Sequence, residues 1–318
     1  MGGRLHGAWV VAVLLVALCG CGEEGARRFS GASPTDAGGG GELTYAIASD
    51  PGDLDPLHAA TPSAQIVARQ VFEPLVASLD GPYGAPTDRP GLALRWEASD
   101  DFRIWSFHLR SDVRFQDDTP LNAEAVVANV ERWQGDPAGQ ALLPSLVAAD
   151  APRPSLVRLI LSVPDRRLPE RLSDPRLGIV SPAALGIETG AGAPIARAED
   201  AGSGPFSLRR REAASLELAR NRGWWGSRLG LGPALDTISF EVVADPGARA
   251  RALSGGTARV AADLPRGVAE ALAPDPLLAV VGAESGSAVG FERSVRGIAD
   301  WRPAPLSGAW VALITEGG

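Results

Sequence analysis

Cysteine and histidine are scarce in this chain of 318 residues, and each shortage excludes a class of chemistry. The two cysteines, Cys19 and Cys21, both precede residue 22, so the remainder of the chain has no disulfide, thiol nucleophile or thiolate metal ligand. Beyond residue 6 the histidines are His58 and His108, too few for most zinc sites or Ser-His-Asp arrangements. The sequence therefore predicts neither an enzyme nor a metal or other cofactor.

Lysine is absent: all 30 basic residues are arginine, and 38 acidic residues bring the net charge to -8. A mildly acidic balance argues against nucleic acid as a partner, because binding to the phosphate backbone needs an excess of positive charge. P-loop, HExxH, GxSxG and strand-to-helix GxGxxG motifs do not occur, so no catalytic residue is predicted. With 45% hydrophobic residues, the chain is able to bury one large core or two ordinary ones.

Residues 1–20 have the organisation of an export signal. Arg4 and His6 precede an apolar run over residues 8–18, which has signal-peptide length and is too short to span a bilayer. The run ends in Leu-Cys-Gly-Cys, which resembles the lipobox of bacterial lipoproteins and implies lipidation of Cys21. An ordinary secretory peptide is the alternative, and it would leave an exported but unanchored protein. Residues 21–41, rich in glycine, are predicted to form a flexible linker after the lipidated cysteine.

Hydrophobic periodicity predicts a mixture of strands and helices from residue 42 onward, and therefore an α/β or α+β fold. Two Pro- or Gly-rich stretches, residues 151–154 and 186–204, are predicted loops or crossings. Strands are expected at Leu43–Ile47, 103–110, 156–163 with Val163 inward, twice within 205–221, and at 236–244, with a weaker strand at 277–281. Helices are expected from Ser63 as N-cap to about Leu75, from Asn122 to about Trp133, at 246–253 and at 268–272.

The order of several segments resembles the bacterial extracellular solute-binding proteins of family 5, which serve ABC importers of dipeptides, oligopeptides and nickel. The resemblance covers about Gly41 to Pro265 and is carried by residues 53–56 (Asp-Leu-Asp-Pro), 71–76 (Val-Phe-Glu-Pro-Leu-Val), 92–97, 105–110, 113–126, 202–208 (Gly-Ser-Gly-Pro-Phe-Ser-Leu), 218–225 and 252–256.

This resemblance implies an α/β fold like the type II periplasmic binding proteins, in one family 5 domain over residues 42–318. A mixed-sheet first lobe is expected over 42–62 and 200–318, with an inserted α+β subdomain over 63–199. Family members are usually considerably longer, so the second lobe is expected to be reduced or absent. Residues 301–311 resemble the family's closing segment, which returns to the first lobe.

The resemblance also implies the position of the solute. His58 lies in the loop that borders the cleft in relatives, and surface hydrogen bonding is its alternative role. The small residues around Gly204 permit close backbone approach to a ligand, with a plain tight turn as the alternative. Asp118 occupies a position where relatives commonly have glycine, so an Asx-type turn or a left-handed Asp is expected. The predicted ligand-binding residues are Asp55, His58, Thr61, Ser203, Gly204 and Phe206.

The implied function is that of an exported lipoprotein outside the cytoplasm, anchored to the membrane through its lipid in the periplasm or at the cell surface. It would bind a small solute, foremost a peptide, and present it to an ABC permease. The alternative is a reduced, non-transport lipoprotein that binds a protein or a cell-wall component at the membrane surface. A polar, concave face would favour the first function, and a large exposed apolar face would favour the second.

Overall fold

A computed structural model describes residues 40–52, 54–77, 91–185, 201–233, 235–272 and 274–275, together with the backbone of 278–284, 287–288 and 310–314. The predicted export signal, Cys21 and most of the linker lie outside the described residues, as do residues 186–200 of the predicted loop over 186–204. Within the described part of the chain, no helix has the length and hydrophobicity needed to cross a membrane.

Strands and helices alternate along the chain as the periodicity predicts. The strands are β1 (Glu42–Ile47), β2 (Ala93–Ala98), β3 (Ile104–Leu109), β4 (Leu146–Arg153), β5 (Leu156–Leu161), β6 (Phe206–Arg211), β7 (Ser215–Arg220), β8 (Thr237–Val242), β9 (Val260–Leu264), β10 (Leu278–Glu284), β11 (Ser287–Ala288) and β12 (Trp310–Ile314). The helices are α1 (Pro62–Val71), α2 (Ala123–Gly135), α3 (Pro137–Leu142), α4 (Leu168–Arg171), α5 (Pro246–Ser254) and α6 (Arg266–Leu272).

The larger sheet is mixed and has the strand order β11-β10-β12-β9-β1-β8-β7-β6. Its central strand β1 is parallel to both of its neighbours, β8 and β9, and is buried on both faces. Leu43, Tyr45 and Ile47 point into a core that α1 covers. Ala46 faces the opposite core, formed with α5 and α6. Covered faces on both sides are typical of parallel strands in an α/β protein.

The smaller sheet is antiparallel, with the order β2-β3-β5-β4. The predicted alternation in β3 is confirmed, because Trp105, Phe107 and Leu109 are all buried in the core beneath α2. Val163 was expected to point inward, which is wrong: β5 ends at Leu161, and the Val163 side chain is 54% exposed.

The predicted loop over residues 151–154 is also wrong, since residues 151–153 belong to β4. β4 is an edge strand of the smaller sheet, and an edge strand tolerates the missing N–H of Pro152. Only Pro154 and Ser155 separate β4 from β5. Proline therefore marks a sheet edge here rather than the end of the strand.

The cap of α1 differs from the prediction. Thr61, not Ser63, is the N-cap, and its Oγ1 accepts a hydrogen bond from the N–H of Ala64 at 3.1 Å. The helix ends at Val71, before the predicted Leu75, because the residue that precedes Pro74 is pushed toward extended backbone. The second predicted cap is confirmed: Oδ1 of Asn122 accepts from the N–H of Ala125 at 2.8 Å.

Two further expectations concern turns and the C-terminal region. Asp118 has φ +67°, so the left-handed alternative is confirmed. The predicted helix at 268–272 is part of α6, and the weaker strand at 277–281 is found as β10. Trp310 and Val311, within the segment expected to return to the first lobe, lie in β12, which is antiparallel to β9 and β10. The proposed domain boundaries stay predictions.

Candidate functional site

Two polar side chains and one backbone N–H meet where the two central parallel strands end. Ser49 follows β1, Asp263 lies near the end of β9, and Ser63 lies in the first turn of α1. The Oγ of Ser63 accepts a hydrogen bond from the N–H of Ser49 at 3.2 Å and donates one to Oδ2 of Asp263 at 3.3 Å. We call these three residues the strand-end cluster. Because β8 and β9 flank β1 on opposite sides, this edge is the position where open α/β sheets bind ligands.

Asp263 has two unusual features. Its φ of +55° places a residue other than glycine in the left-handed region. Its Oδ1 is buried and has no hydrogen-bond partner among the described residues. Burial raises the pKa of the Asp263 carboxyl above its ordinary value, against the hydrogen bond from Ser63 and the nearby charge of Arg249. The free protein thus holds a carboxylate whose charge is incompletely compensated.

Arg249 supports this strand end from inside the protein. Its side chain is 2% exposed and donates to the carbonyl oxygens of Ala262 at 2.9 Å and Asp263 at 2.7 Å. It also donates to the carbonyl oxygens of Val243 and Ala244, which follow β8. Desolvation lowers the pKa of the guanidinium, against the charges of Asp263 and Asp245. Arg249 therefore holds the backbone at the ends of β8 and β9, and its N–H groups are used on carbonyl oxygens.

A second cluster surrounds His58, in the loop between β1 and α1. Asp55 is 1% exposed; its Oδ1 accepts from the N–H of Leu57 at 3.0 Å, and its Oδ2 pairs with Arg132 and, at 3.1 Å, with Nδ1 of His58. The Nε2 of His58 lies 2.9 Å from Oδ2 of Asp136, the N-cap of α3. This cluster ties the loop after β1 to the end of α2.

The charge of Asp136 is favoured in this arrangement. Burial alone would raise the pKa of the Asp136 carboxyl, but hydrogen bonds from the N–H of Ala138 and from His58, with the charges of His58 and Arg132, lower it below its ordinary value. Asp55 and Asp136 are therefore structural partners of His58. The His58 side chain is 39% exposed, so it also has a face available to solvent.

The predicted Gly-Ser-Gly turn packs against α1. The N–H of Gly204 donates to the carbonyl oxygen of Val71 at 2.8 Å, and an added Cβ at Gly204 would lie 2.6 Å from that oxygen. Ser203 is fully buried and donates to Oε2 of Glu73 at 2.9 Å. Phe206 is fully buried in the core of the larger sheet. The small residues therefore allow the protein's own backbone to approach, which is the tight-turn alternative.

Among the residues predicted to bind ligand, His58 and Thr61 are exposed, whereas Asp55, Ser203, Gly204 and Phe206 are buried. Solute contact by these six residues stays a prediction. Of the buried residues, Asp55 belongs to the His58 cluster, and the others lie in or beside the turn that packs on α1. Thr61 is the N-cap of α1 and lies near the strand-end cluster.

Sequence reasoning missed Glu73. Its Oε1 accepts from the indole nitrogens of Trp224 at 3.1 Å and Trp225 at 3.2 Å, and Oε2 accepts from Trp225 at 2.9 Å and from Ser203. Trp224 and Trp225 are 6% and 3% exposed, so they form a packing corner. Glu73 lies in the Val-Phe-Glu-Pro segment, but no local pattern relates it to tryptophans some 150 positions later.

Asp263 and Ser63 were also missed as site residues. The only sequence signal was the position of Asp263 at the end of a short apolar strand, and that signal is weak without knowledge of which strands are neighbours. A separate cavity of about 310 Å³ lies between α2, α3 and β4. Its lining residues, from Trp133 to Val147, include no ionisable side chain, so it offers no charged anchor.

A comparison with known protein families agrees with this geometry. The family model described as "Bacterial extracellular solute-binding proteins, family 5 Middle" matches residues 89–294. The chain belongs to this family. The resemblance inferred from the sequence is thereby confirmed, and so is the α/β fold of the type II periplasmic binding proteins.

Relatives and solved structures of family 5 cover the chain only in part. The "Probable D,D-dipeptide-binding periplasmic protein DdpA" of Escherichia coli K12 is 31% identical over 227 residues, which are 70% of this chain and 43% of DdpA. The "Glutathione-binding protein GsiB" of Escherichia coli O1:K1 is 30% identical over 235 residues, which are 70% of this chain and 42% of GsiB. The chain thus spans less than half the length of these relatives.

A solved structure extends the comparison to the fold. The binding protein AgaA from A. tumefaciens R10, solved in complex with agropinic acid, superposes with a TM-score of 0.66 at 26% identity. The match covers 76% of this chain and 48% of AgaA. These family 5 relatives are named as binding proteins rather than as enzymes.

Proposed function

We propose that this protein is a solute-binding protein that captures a peptide outside the cytoplasm and presents it to an ABC permease. The observation that carries the proposal is the family 5 match over residues 89–294. The polar strand-end cluster supports it, because it lies where an α/β sheet of this topology binds ligands.

A peptide is the favoured solute for two reasons. The relatives DdpA and GsiB are named for a D,D-dipeptide and for glutathione, which are both short peptides. In addition, the strand-end cluster provides hydroxyl and carboxylate groups, which suit a polar solute. This polar edge favours solute capture over the alternative of a partner-binding lipoprotein, which would expose an apolar face there.

The experiment is a melting series of the full chain in detergent with pools of dipeptides, tripeptides and, as a control, neutral sugars. A ligand at 100 times its Kd stabilises a protein by about 2.7 kcal/mol, which raises Tm by several degrees. We expect a saturable shift with a peptide pool and none with the sugars. Cooperative melting that no pool shifts would contradict the proposal.

Membrane anchoring through Cys21 is part of the proposal. Its support is the Leu-Cys-Gly-Cys sequence at residues 18–21, which follows an apolar run of signal-peptide length. Cells that express the full chain would be labelled with radioactive palmitate. Cys21→Ala is expected to abolish the label, whereas the control Cys19→Ala retains it. Equal labelling of both variants would overturn the assignment of Cys21.

A further inference from the structure

We propose that the connection between β7 and β8 contacts the surface of an anionic membrane. Leu229 and Leu231 enter the boundary between headgroups and acyl chains. Arg222 and Arg228 pair with anionic headgroups. The contact goes beyond solute capture, and it rests on the proposed function in one respect, because it adds to the lipid tether at Cys21.

The connection begins and ends at the edge of the larger sheet where β1 starts. The N–H groups of Asp236 and Thr237 donate to the carbonyl oxygen of Gly41 at 3.0 and 3.3 Å. The N–H of Arg220 donates to the carbonyl oxygen of Asp236 at 2.8 Å. The strand-end cluster lies at the other end of β1, about 20 Å away, since that is the length of a strand of six residues. The connection is therefore remote from the expected solute edge.

The predicted linker reaches the folded part of the chain at this same edge. Gly41, its last residue, directly precedes β1 and accepts the two hydrogen bonds from the connection. Residues 22–39 are expected to behave as a flexible chain with an average end-to-end distance of about 20–25 Å. A tether of that length from Cys21 keeps the connection close to the bilayer at all times. A contact too weak to hold a free protein is then well populated.

The two leucines are exposed on an ordered turn. Leu229 and Leu231 have exposed fractions of 53% and 39%. Gly230, between them, has φ +69° and ends the short 3-10 helix Trp225–Leu229. The N–H of Leu231 donates to the carbonyl oxygen of Gly226 at 3.0 Å, which closes the turn. Backbone hydrogen bonds thus present both apolar side chains to the outside.

The charge beside the leucines is positive. Arg222 and Arg228 are exposed, and neither makes an ion pair within the described part of the chain. Asp236 is the only acidic residue of the connection, and it pairs with Arg220 at 3.0 Å. An anionic membrane repels a chain of net charge -8 as a whole. The local positive excess therefore turns this edge, rather than another, toward the bilayer.

A lipid surface fits this patch better than a protein partner does. Two partly exposed leucines offer far less than the roughly 800 Å² per partner that a stable protein interface buries. A bilayer needs no complementary shape, and its interface accepts leucine while its anionic headgroups attract arginine. The tether supplies the proximity that such a small contact needs.

The test measures the depth of the turn in vesicles that carry the tethered full chain. Leu229→Cys is labelled with a bimane fluorophore, and quenching by lipids with a nitroxide near the headgroup reports contact with the bilayer. The matched control is Val163→Cys, because Val163 is apolar and 54% exposed. The natural chain, treated with the same label, gives the background from Cys19 and Cys21. The vesicles are pure phosphatidylcholine or its mixture with phosphatidylglycerol.

In the mixed vesicles, quenching is expected to be several-fold stronger at position 229 than at position 163. An arginine near an anionic surface is worth about fivefold in partitioning, so Arg228→Gln should lower the ratio of quenched to unquenched probe by that factor. Arg153→Gln, which removes an exposed arginine from β4, is the control and should leave the ratio unchanged.

Trypsin provides a second measurement that needs no substitution. On the natural chain, cleavage after Arg228 should be several-fold slower in the mixed vesicles than in phosphatidylcholine vesicles. Cleavage after Arg167, whose side chain is 71% exposed, should be equally fast in both. This comparison decides the matter if a labelled variant does not fold.

The outcomes separate the contact from the proposed function. Quenching at position 229 that depends on phosphatidylglycerol and on Arg228 supports the contact. Equal quenching at positions 229 and 163 overturns it and leaves the leucines to a protein partner. Quenching that pure phosphatidylcholine reproduces overturns the pairing with anionic lipid. These results leave peptide capture standing, since the melting series measures it. A chain that does not float with vesicles overturns the tether and, with it, the contact.

Discussion

The α-carbon of Gly202 lies against the carbonyl oxygen of Val71, so close that an added Cβ would be 1.9 Å from that oxygen. The turn over residues 202–204 is therefore the surface on which the last turn of α1 rests. This contact joins the loop before β6 to α1, whose first turn carries Ser63 of the strand-end cluster. Glycine at position 202 is thus required by the packing of the protein's own backbone.

Gly202→Ala is expected to destabilise the protein by about 3 kcal/mol, because backbone atoms on both sides must shift to admit the methyl group. Urea unfolding followed by circular dichroism would measure this loss. Gly267→Ala is the matched control: no atom lies within 4 Å of its added Cβ, and its place in α6 predicts a gain of about 0.5–1 kcal/mol. Equal stabilities of the two variants would contradict the packing argument.

Glu73→Gln should lower the free energy of unfolding by about 2 kcal/mol. The carboxylate uses both oxygens as acceptors for Trp224, Trp225 and Ser203. Glutamine has one acceptor oxygen, so its amide NH₂ would face a donor. Thermal unfolding monitored by tryptophan fluorescence reports on the same indoles. The exposed Glu131→Gln is the control and should leave Tm unchanged.

Asp118→Ala is expected to cost about 1 kcal/mol, since φ is +67° and alanine pays the full penalty of left-handed backbone. Asp118→Gly should be at least as stable as the natural chain, because glycine adopts this conformation without a Cβ clash. Both variants remove the same exposed carboxylate, so each controls the other for charge. A stability order with alanine above glycine, measured by urea unfolding, would refute the backbone explanation.

The ionised carboxyl of Asp117 is expected to stabilise the folded protein at neutral pH, and this contribution is lost in acid. Burial opposes its charge, but hydrogen bonds from Ser181 and Thr119 outweigh burial and lower the pKa of its carboxyl below the ordinary value near 3.8. A lowered folded-state pKa stabilises the protein above the unfolded-state pKa, and this stability is lost as pH falls through the folded-state value. Asp117→Asn should thus cost about 1 kcal/mol at pH 7 and less near pH 3. Urea unfolding of Asp117→Asn and of the natural chain at the two pH values measures the difference, and an equal loss at both values would contradict it.

The carboxyl of Asp263 is expected to have the opposite effect on stability. Burial raises its pKa, so the ionised group opposes folding and the cost grows as pH rises from the unfolded-state value through the folded-state value. Without solute, Asp263→Asn is therefore expected to be at least as stable as the natural chain at pH 7, and their difference should shrink in acid. Parallel unfolding curves at pH 7 and near pH 3 would check this. A variant much less stable than the natural chain at pH 7 would contradict this expectation.

Local sequence patterns predicted the elements well where the signal was local. Alternation in β3 and the Asn122 cap follow from neighbouring residues, and the left-handed Asp118 was expected from the resemblance to family 5. The errors arose where a distant neighbour decided the outcome. Pro152 is accommodated because β4 is a sheet edge, and Ser63, which was expected to cap α1, instead donates a hydrogen bond to Asp263.

For the candidate site, too, the predictions that succeeded are those that depend on local sequence. The sequence by itself determined the family, the mixture of strands and helices and the absence of cysteine beyond residue 21, because these depend on composition, periodicity and short segments. Only the tertiary structure decided that the Gly-Ser-Gly turn packs on α1 and that Ser63 meets Asp263, 200 positions later. Such contacts depend on which strands become neighbours in the sheet, and no local preference of the chain encodes that pairing.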